Sequence, residues 1–275
     1  MKISQQNESW RSKMPFVALD LLGFKSVIKN NALNEVLRIY RQFLIETKTS
    51  LAFRKMKDYL IKTQLVSDSF FLYVEEGQKD ITLREHTIRE MIKCLSHLLY
   101  RSIISFSQKQ NHPRVPIRAA FTLGEYYGDE NFPDALEYNL PLNEFYHTFS
   151  RVVVGEAAVR AHEWEECQKW VGASFDPNTT DIMRTDEDTA VLLDFLKEDK
   201  LIIEYDVPTK DGLITTYAIN FNIEGEFELL YNSLLFAEKM FEDNRELLAK
   251  YKGTKNFLIH CNENNCIRPF SDMLQ

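Results

Sequence analysis

The alternation of apolar and polar positions predicts strands and helices in regular succession along the first half of the chain. An apolar run at 14–21 predicts a strand, and residues 24–50 follow it as a helix. Residues 61–76 are rich in β-forming side chains around a short polar turn, which predicts a hairpin. In 81–108, isoleucine and leucine recur near the helical period, which predicts a long amphipathic helix.

The second half of the chain continues this succession with shorter elements. Residues 115–124 predict a strand, and an apolar run at 151–154 leads into a helix that extends to 166. The remaining predicted elements are a strand at 170–174, a helix at 182–197, strands at 201–206 and 214–220, and an amphipathic helix at 224–250.

The order of these elements predicts the fold class. Helices separate most strands and one pair of strands forms a hairpin, which is typical of an α/β (α+β) sandwich of the ferredoxin-like kind. We expect one mainly antiparallel sheet covered by helices in residues 1–178. Residues 179–275 would form a C-terminal α/β extension packed on the core or at a dimer interface.

Composition narrows the classes of partner. The 275 residues are 44% hydrophobic, enough for one large core or two modest domains. With 33 basic and 41 acidic residues the net charge is −8, which argues against broad nucleic-acid binding because that relies on a basic surface. A small phosphorylated ligand in a local basic pocket stays compatible with this charge.

The four cysteines and the apolar runs bear on the cellular compartment. The cysteines are scattered, the first ten residues lack the apolar core of a signal peptide, and no run approaches the length of a membrane span. We therefore expect a reduced, cytoplasmic protein without direct membrane contact. His260, Cys261 and Cys266 lack a second pair at zinc-binding spacing, so a tail with free thiols is the favoured interpretation.

Two aspartates stand out in apolar surroundings. Asp20 lies within the apolar run FVALDLLGF, and Asp68 lies in the turn of the predicted hairpin. Two carboxylates at adjacent strand ends repel each other, and a divalent ion such as Mg²⁺ or Mn²⁺ would relieve that repulsion. Gly23 leads into a helix whose first amides can attract phosphate. Equally, Asp20 could cap that helix and Asp68 could shape the turn.

Arg118 is the candidate cation for the same site. It lies among small residues on the strand VPIRAAF, where alternation places it on the opposite face from Ile117 and Ala119. An arginine on a central strand could hold a triphosphate through two parallel hydrogen bonds. An arginine on an edge strand would show the same pattern, so the sequence leaves both readings open.

Four blocks in this order resemble the class III nucleotidyl cyclases: FVALDLLGF, LVSDSFFLYV, VPIRAAFTLGE and VVVGEAAVRAHEWE. The resemblance covers about residues 14–175. It implies that Asp20 and Asp68 bind two divalent ions, Mn²⁺ or Mg²⁺, with the carbonyl of Leu21 as a further ligand. It also implies a catalytic and phosphate-binding role for Arg118, and a triphosphate surrounded by Leu22, Gly23, Phe24 and Lys25.

The chemistry that the resemblance implies is an internal displacement. The 3′-hydroxyl of a nucleoside triphosphate attacks its own α-phosphorus and pyrophosphate leaves. Such a reaction depends mainly on positioning and charge stabilisation, and it requires no covalent nucleophile.

The chain departs from the family pattern where the base is selected. Typical adenylate cyclases carry Lys with Asp or Thr at two positions, and guanylate cyclases carry Glu with Cys. This chain has Gln64 and Val152 there. Glutamine both donates and accepts hydrogen bonds, so it could recognise uracil or cytosine, whereas valine offers no polar group.

The chain also departs where the family stabilises the transition state. Val159 and Glu163 stand at the positions of the usual asparagine and arginine. Arg160 is one position away and is the candidate substitute, although one residue rotates a helical side chain by about 100°.

GEAAVRAHEWE together with SDS is most similar to the pyrimidine cyclases of bacterial Pycsar anti-phage systems. This resemblance implies a homodimer with shared sites, and a cyclic UMP or cyclic CMP product that activates a separate antiviral effector. We expect UTP to be preferred over CTP. A catalytically silent module that only binds nucleotide or dimerises is the alternative from another class.

Overall fold

The computed structural model describes residues 13–24, 29, 32–38, 41, 45, 61–66, 69–74, 81–106, 116–129 and 152–269. The strands are β1 (Met14–Leu21), β2 (Ile61–Val66), β3 (Ser69–Val74), β4 (Ile117–Gly124), β5 (Tyr127–Asp129), β6 (Val152–Val154), β7 (Ala173–Phe175), β8 (Ile202–Thr209) and β9 (Gly212–Ile219). The helices with described bounds are α1 (Ile81–Ile104), α2 (Glu156–Cys167), α3 (Pro177–Thr185), α4 (Glu187–Glu198), α5 (Phe227–Met240) and α6 (Arg245–Glu263). Residues 33–38, within the predicted first helix, are also helical.

One mixed sheet organises the chain. Among the residues that the structure describes, this sheet has seven strands in the order β2-β3-β1-β4-β7-β9-β8, and a separate ribbon pairs β5 with β6. Of the pairs formed by the described strands of the large sheet, β4–β7 is parallel and the others are antiparallel. The order of its first four strands is the ferredoxin-like order, so the predicted fold class is confirmed.

The sheet centre is buried because its strands are apolar on both faces. Residues 16–19 of β1 and all of β4 are buried, which is typical of strands covered on both sides. Arg118, Ala120 and Thr122 therefore lie in the interior instead of facing solvent. On their face, Thr122 donates to the carbonyl of Ala157 in α2 at 3.0 Å.

Two predicted helices are each two helices in the structure, so those predictions were wrong. The element predicted at 182–197 is divided at Asp186, whose side chain accepts from the backbone N–H of Thr189 at 3.2 Å. The element predicted at 224–250 is divided before Asn244, which caps α6 through the N–H of Leu247 at 3.1 Å. In both places a capping side chain satisfies the free amides of a new helix while the apolar period continues.

Smaller differences concern element ends. The helix predicted at 81–108 ends at Ile104, and the strand predicted at 170–174 is Ala173–Phe175. The three-residue strand Tyr127–Asp129 was not predicted, because so short a strand has no visible alternation.

The C-terminal strands continue the same sheet. β9 pairs with β7 at Ala218 and Ser174, and β8 forms the far edge. Buried residues of α6, among them Phe257 and Leu258, belong to the same apolar core as β1 and β4. A division at residue 178 stays a prediction. No helix in the described part of the chain is long and apolar enough to cross a membrane.

Candidate functional site

Asp20 lies near the end of β1, in the middle of three paired strands. In the sheet register it is opposite Arg118 of β4 and Ser69 of β3. Ser69 directly follows Asp68 in the chain, and Asp68 itself, like Lys25, lies outside the described residues. The pairing thus places the first residue of β3, which directly follows Asp68, beside Asp20.

Arg118 bridges two carboxylates from different elements. Its Nε donates to Oε1 of Glu165 in α2, and its Nη1 donates to the carbonyl of Gln168 at 2.8 Å. Its Nη2 lies 3.7 Å from Oδ2 of Asp20. Two of its nitrogens are thus occupied by the protein, and the third faces the predicted metal ligand.

Glu165 is a functional candidate that the sequence analysis missed. Its side chain is almost fully buried, and burial raises its pKa to about 7, against the opposing effect of Arg118. The nearby Asp20 raises this pKa further. A signal was present in the sequence, since Glu165 continues the buried helical stripe of Ala157 and Ala161.

A cavity of about 430 Å³ opens beside Asp20. That volume lies within the usual range of small-molecule sites. Four of its lining residues are cationic and three are acidic, and several come from the C-terminal half of the chain. The lining residues are Asp20, Leu21, Leu22, Gly23, Phe24, Arg118, Glu166, Lys169, Lys210, Glu246 and Lys250.

The loop at 22–24 forms one wall of this cavity. The N–H of Leu22 donates to the carbonyl of Pro116 at 2.9 Å, and the side chains of Leu22 and Phe24 are buried. Between them Gly23 is exposed at φ +77°, with open space where a side chain would stand. A fixed loop with an open glycine suits the close approach of a ligand to the backbone.

The predicted base-recognition residues lie away from this cavity. Gln64 is on the edge strand β2, opposite Phe71, and Val152 begins β6, opposite Asp129. Gln64 is not among the described residues that line the cavity, and the side chain of Val152 lies outside the described set. Within one chain the structure does not bring them to Asp20.

Arg160 contacts the opposite end of β4 from Arg118. It donates to the carbonyl of Leu123 and lies 3.7 Å from the carboxylate of Glu156. The stretch of β4 from Arg118 to Leu123 spans about 17 Å at a rise of about 3.3 Å per residue. Arg160 therefore does not support chemistry at Asp20 of its own chain.

The donor set at the cavity fits a divalent ion in part. Asp20 offers a partly exposed carboxylate and Leu21 borders the same space, and oxygen ligands are those that Mg²⁺ and Mn²⁺ prefer. Among the described residues, no group of three or more His, Cys, Asp or Glu side chains is arranged to hold a metal. A two-ion site would therefore require Asp68.

Comparisons with known proteins give fold-level similarity alone. Neither a protein-family model nor a curated protein sequence matches the chain. It is similar to the adenylyl cyclase CyaB from P. aeruginosa, at 12% identity and a TM-score of 0.47 over 76% of this chain and 94% of that chain. It is also similar to the guanylate cyclase domain of RhGC from Catenaria anguillulae in complex with GTP, at 10% identity and a TM-score of 0.47, over 76% of this chain and 97% of that chain.

A bacterial light-regulated adenylyl cyclase is similar at 9% identity and a TM-score of 0.48, over 80% of this chain and 95% of that chain. The three structures are thus adenylyl and guanylyl cyclases. Because the TM-scores are below 0.5, the functional case rests on the residues of the site itself.

Proposed function

We propose that this protein is a metal-dependent pyrimidine nucleotide cyclase that converts UTP to 3′,5′-cyclic UMP and pyrophosphate. The observation that carries the proposal is the cavity beside Asp20, where a strand-end carboxylate, an arginine in register and an open glycine loop meet. If Asp20 served only as a helix cap, neither Arg118 nor the cavity beside it would be needed.

Each residue at the cavity has a proposed role. The triphosphate would lie against the loop of Leu22, Gly23, Phe24 and Lys25, whose glycine permits close approach of the backbone. Arg118 would stabilise phosphate charge, and to reach it the guanidinium would exchange one of its protein contacts for phosphate oxygens. Glu165 and Gln168 would hold the remaining nitrogens and fix the plane of the guanidinium.

Asp20, the carbonyl of Leu21 and Asp68 are the residues that would hold two divalent ions, Mn²⁺ or Mg²⁺. When bound, such ions lower the pKa of the 3′-hydroxyl and neutralise charge on the β- and γ-phosphates. The hydroxyl oxygen would lose its proton to solvent and form a bond to the α-phosphorus, while the bond from that phosphorus to the bridging oxygen breaks and pyrophosphate leaves. The chain's own contribution is to place the reacting atoms and to exclude water from them.

The preference for a pyrimidine is supported by the absence of the purine-selecting residues. Gln64 could hydrogen-bond to uracil or cytosine, and Val152 adds no polar group. CTP and cyclic CMP are the alternative substrate and product. By its similarity to Pycsar cyclases, the product would be a second messenger that activates a separate anti-phage effector.

We further propose that the working form is a homodimer with sites at the interface. Arg160, Gln64 and Val152 lie away from the Asp20 cavity of their own chain, which is the arrangement required if a second copy supplies them. Arg160 would then support the transition state in the partner's site.

The test is to incubate the purified protein with ATP, GTP, CTP and UTP separately in the presence of Mn²⁺, and to identify products by mass spectrometry. Cyclic UMP as the main product is expected. Cyclic AMP or cyclic GMP as the main product would refute the base assignment, and no cyclic product from any nucleotide would refute the enzyme.

A silent nucleotide-binding or dimerisation module is a second candidate with an observation in its favour. Val159 and Glu163 stand at the family's asparagine and arginine positions and are both exposed, and Arg160 is engaged with the Leu123 carbonyl. Calorimetry that detects UTP binding in the absence of turnover would favour this module. Turnover abolished by Asp20→Asn would rule it out.

A further inference from the structure

Three lysines beyond the cyclase-like blocks or at their end line the same cavity as Asp20. Lys169 follows α2, Lys210 lies in the turn between β8 and β9, and Lys250 lies on α6. None of them belongs to the motifs that predicted the site. Their convergence comes from the way the C-terminal half packs on the sheet.

A single β-bridge fixes the first two lysines. Gln168 pairs antiparallel with Thr209, so the N–H of Lys169 donates to the carbonyl of Pro208 at 2.7 Å. The N–H of Lys210 donates in turn to the carbonyl of Cys167 at 2.9 Å. The two lysine backbones are thus held on either side of one bridge.

Gln168 anchors that bridge to the centre of the sheet. Its fully buried amide donates to the carbonyl of Ala119 at 2.9 Å and accepts from Trp170 Nε1 at 2.7 Å and Ser174 Oγ at 3.0 Å. Its backbone carbonyl is also the acceptor of Arg118. The residue that orients Arg118 therefore also sets the position of Lys169.

α6 is held against the same segment, which fixes Lys250. The hydroxyl of Thr254 donates to the carbonyl of Val171 at 2.8 Å and accepts from its N–H at 2.9 Å. A side chain at Gly253 would meet Trp170 and Pro208 at 3.3 Å. α6 and the segment that contains Trp170 and Val171 are thus in close contact, one helical turn from Lys250.

Three lysines against Glu166 and Glu246 leave this part of the cavity lining with a net positive charge. Lys250 pairs with Glu246 at 2.9 Å, and that hydrogen bond lowers the pKa of Glu246, with smaller contributions from Lys169 and Arg118. Among the described residues, neither Lys169 nor Lys210 makes a direct ion pair with a carboxylate. The side chain of Lys250 is only 9% exposed but that of Glu246 is 66% exposed, so an incoming anion can take the place of the exposed carboxylate beside Lys250.

We infer that Lys169, Lys210 and Lys250 bind the terminal phosphates of a polyphosphate chain in this cavity. Lysine ammonium groups bind phosphate as point charges. Three of them on one wall of the cavity would neutralise several of the negative charges of a triphosphate. The identity of the nucleotide rests on the proposed function. The recognition of polyphosphate rests only on the lysines and the cavity.

The test uses the full chain and inorganic tripolyphosphate, measured by isothermal titration calorimetry at low ionic strength. The double substitution Lys169→Gln with Lys210→Gln is compared with Lys252→Gln, an exposed lysine on α6 that does not line the cavity. We expect Kd to rise about tenfold for each cavity lysine removed, or about 100-fold in the double variant, and to be unchanged in Lys252→Gln. Far-UV circular dichroism and thermal melting establish that each variant is folded.

The outcomes separate this inference from the proposed cyclase activity. Tripolyphosphate binding that is lost in the double variant supports the inference even if no nucleotide is cyclised. If the wild-type protein does not bind tripolyphosphate, or if the double variant binds it as tightly as Lys252→Gln, the inference is overturned, whether or not cyclic product is formed.

Discussion

Replacing Glu165 with glutamine tests the electrostatics of the site most sharply, because the substitution keeps the shape and removes only the charge. In the folded protein the carboxylate is buried against Arg118 and its pKa is raised to about 7 from an ordinary 4.5. A group with a raised folded pKa binds its proton more tightly when folded. Its contribution to stability is therefore complete below pH 4.5 and is lost as pH rises through about 7.

The magnitude follows from these two pKa values. A tenfold difference in proton affinity corresponds to about 1.4 kcal/mol. Between pH 5 and pH 8 the wild-type protein should therefore lose on the order of 2 to 3 kcal/mol of unfolding free energy through this one group. Glutamine does not titrate, so Glu165→Gln should lack this loss. The unfolding free energy of the wild-type protein relative to that of the variant should thus fall by on the order of 2 to 3 kcal/mol between pH 5 and pH 8.

The assay is urea unfolding of both proteins at pH 5, 6, 7 and 8, followed by tryptophan fluorescence. Glu163→Gln is the matched control, because Glu163 lies on the same helix but is exposed. We expect that variant to follow the wild-type curve at every pH. If Glu165→Gln instead becomes progressively less stable relative to wild type as pH rises, the ion pair with Arg118 dominates over burial and the reasoning is wrong.

Three further predictions concern other residues of the fold and the site. Asp20→Asn should lower cyclase activity on the order of 100-fold without altering the melting temperature, and a variant with wild-type turnover would exclude Asp20 from catalysis. Gly155→Ala should lower the unfolding free energy by about 3 kcal/mol, since φ is +147° and a new Cβ would lie 2.5 Å from the Glu125 carbonyl oxygen. Gly212→Ala, at φ +119° in open space, should cost only about 1 kcal/mol, and equal losses for the two would show that crowding at Gly155 is not the cause. Gln168→Ala should cost about 3 kcal/mol in urea unfolding, because three buried groups lose their partner, and a loss below about 1 kcal/mol would contradict its role as the anchor.

Much of the fold could be predicted from the sequence, because the period of the apolar residues indicates which positions are buried. The apolar runs of β1 and β4, the hairpin of β2 and β3 and the long helix α1 each carry a pattern of the correct period. The two divided helices were not readable in this way, because Asp186 and Asn244 interrupt the backbone while the apolar stripe continues. Capping at these positions is a local hydrogen-bonding choice that the apolar pattern does not reveal.

Only those residues of the site that are unusual within their own segment could be predicted from the sequence. Asp20, Gly23 and Arg118 could be found because each is unusual within its own strand or turn. The spacing of Glu165 after Ala157 and Ala161 indicated only that it would be buried, and its contact with Arg118 arises from packing between separate segments. The three cavity lysines carried no such signal, because their proximity to Asp20 also arises from packing between segments far apart in the chain. A lysine on a helix or in a turn is ordinarily a solvated residue, and only the bridge at Gln168 and Thr209 makes two of them converge.

The central claim, that Asp20 is part of a site that cyclises UTP, is tested most directly by phosphorus NMR of the reaction with Mg²⁺. For the wild-type protein, loss of the three UTP signals should be matched by equimolar cyclic UMP and pyrophosphate, and Asp20→Asn should consume UTP on the order of 100-fold more slowly. Release of inorganic phosphate with UDP, or equal turnover by the two proteins, would contradict the claim.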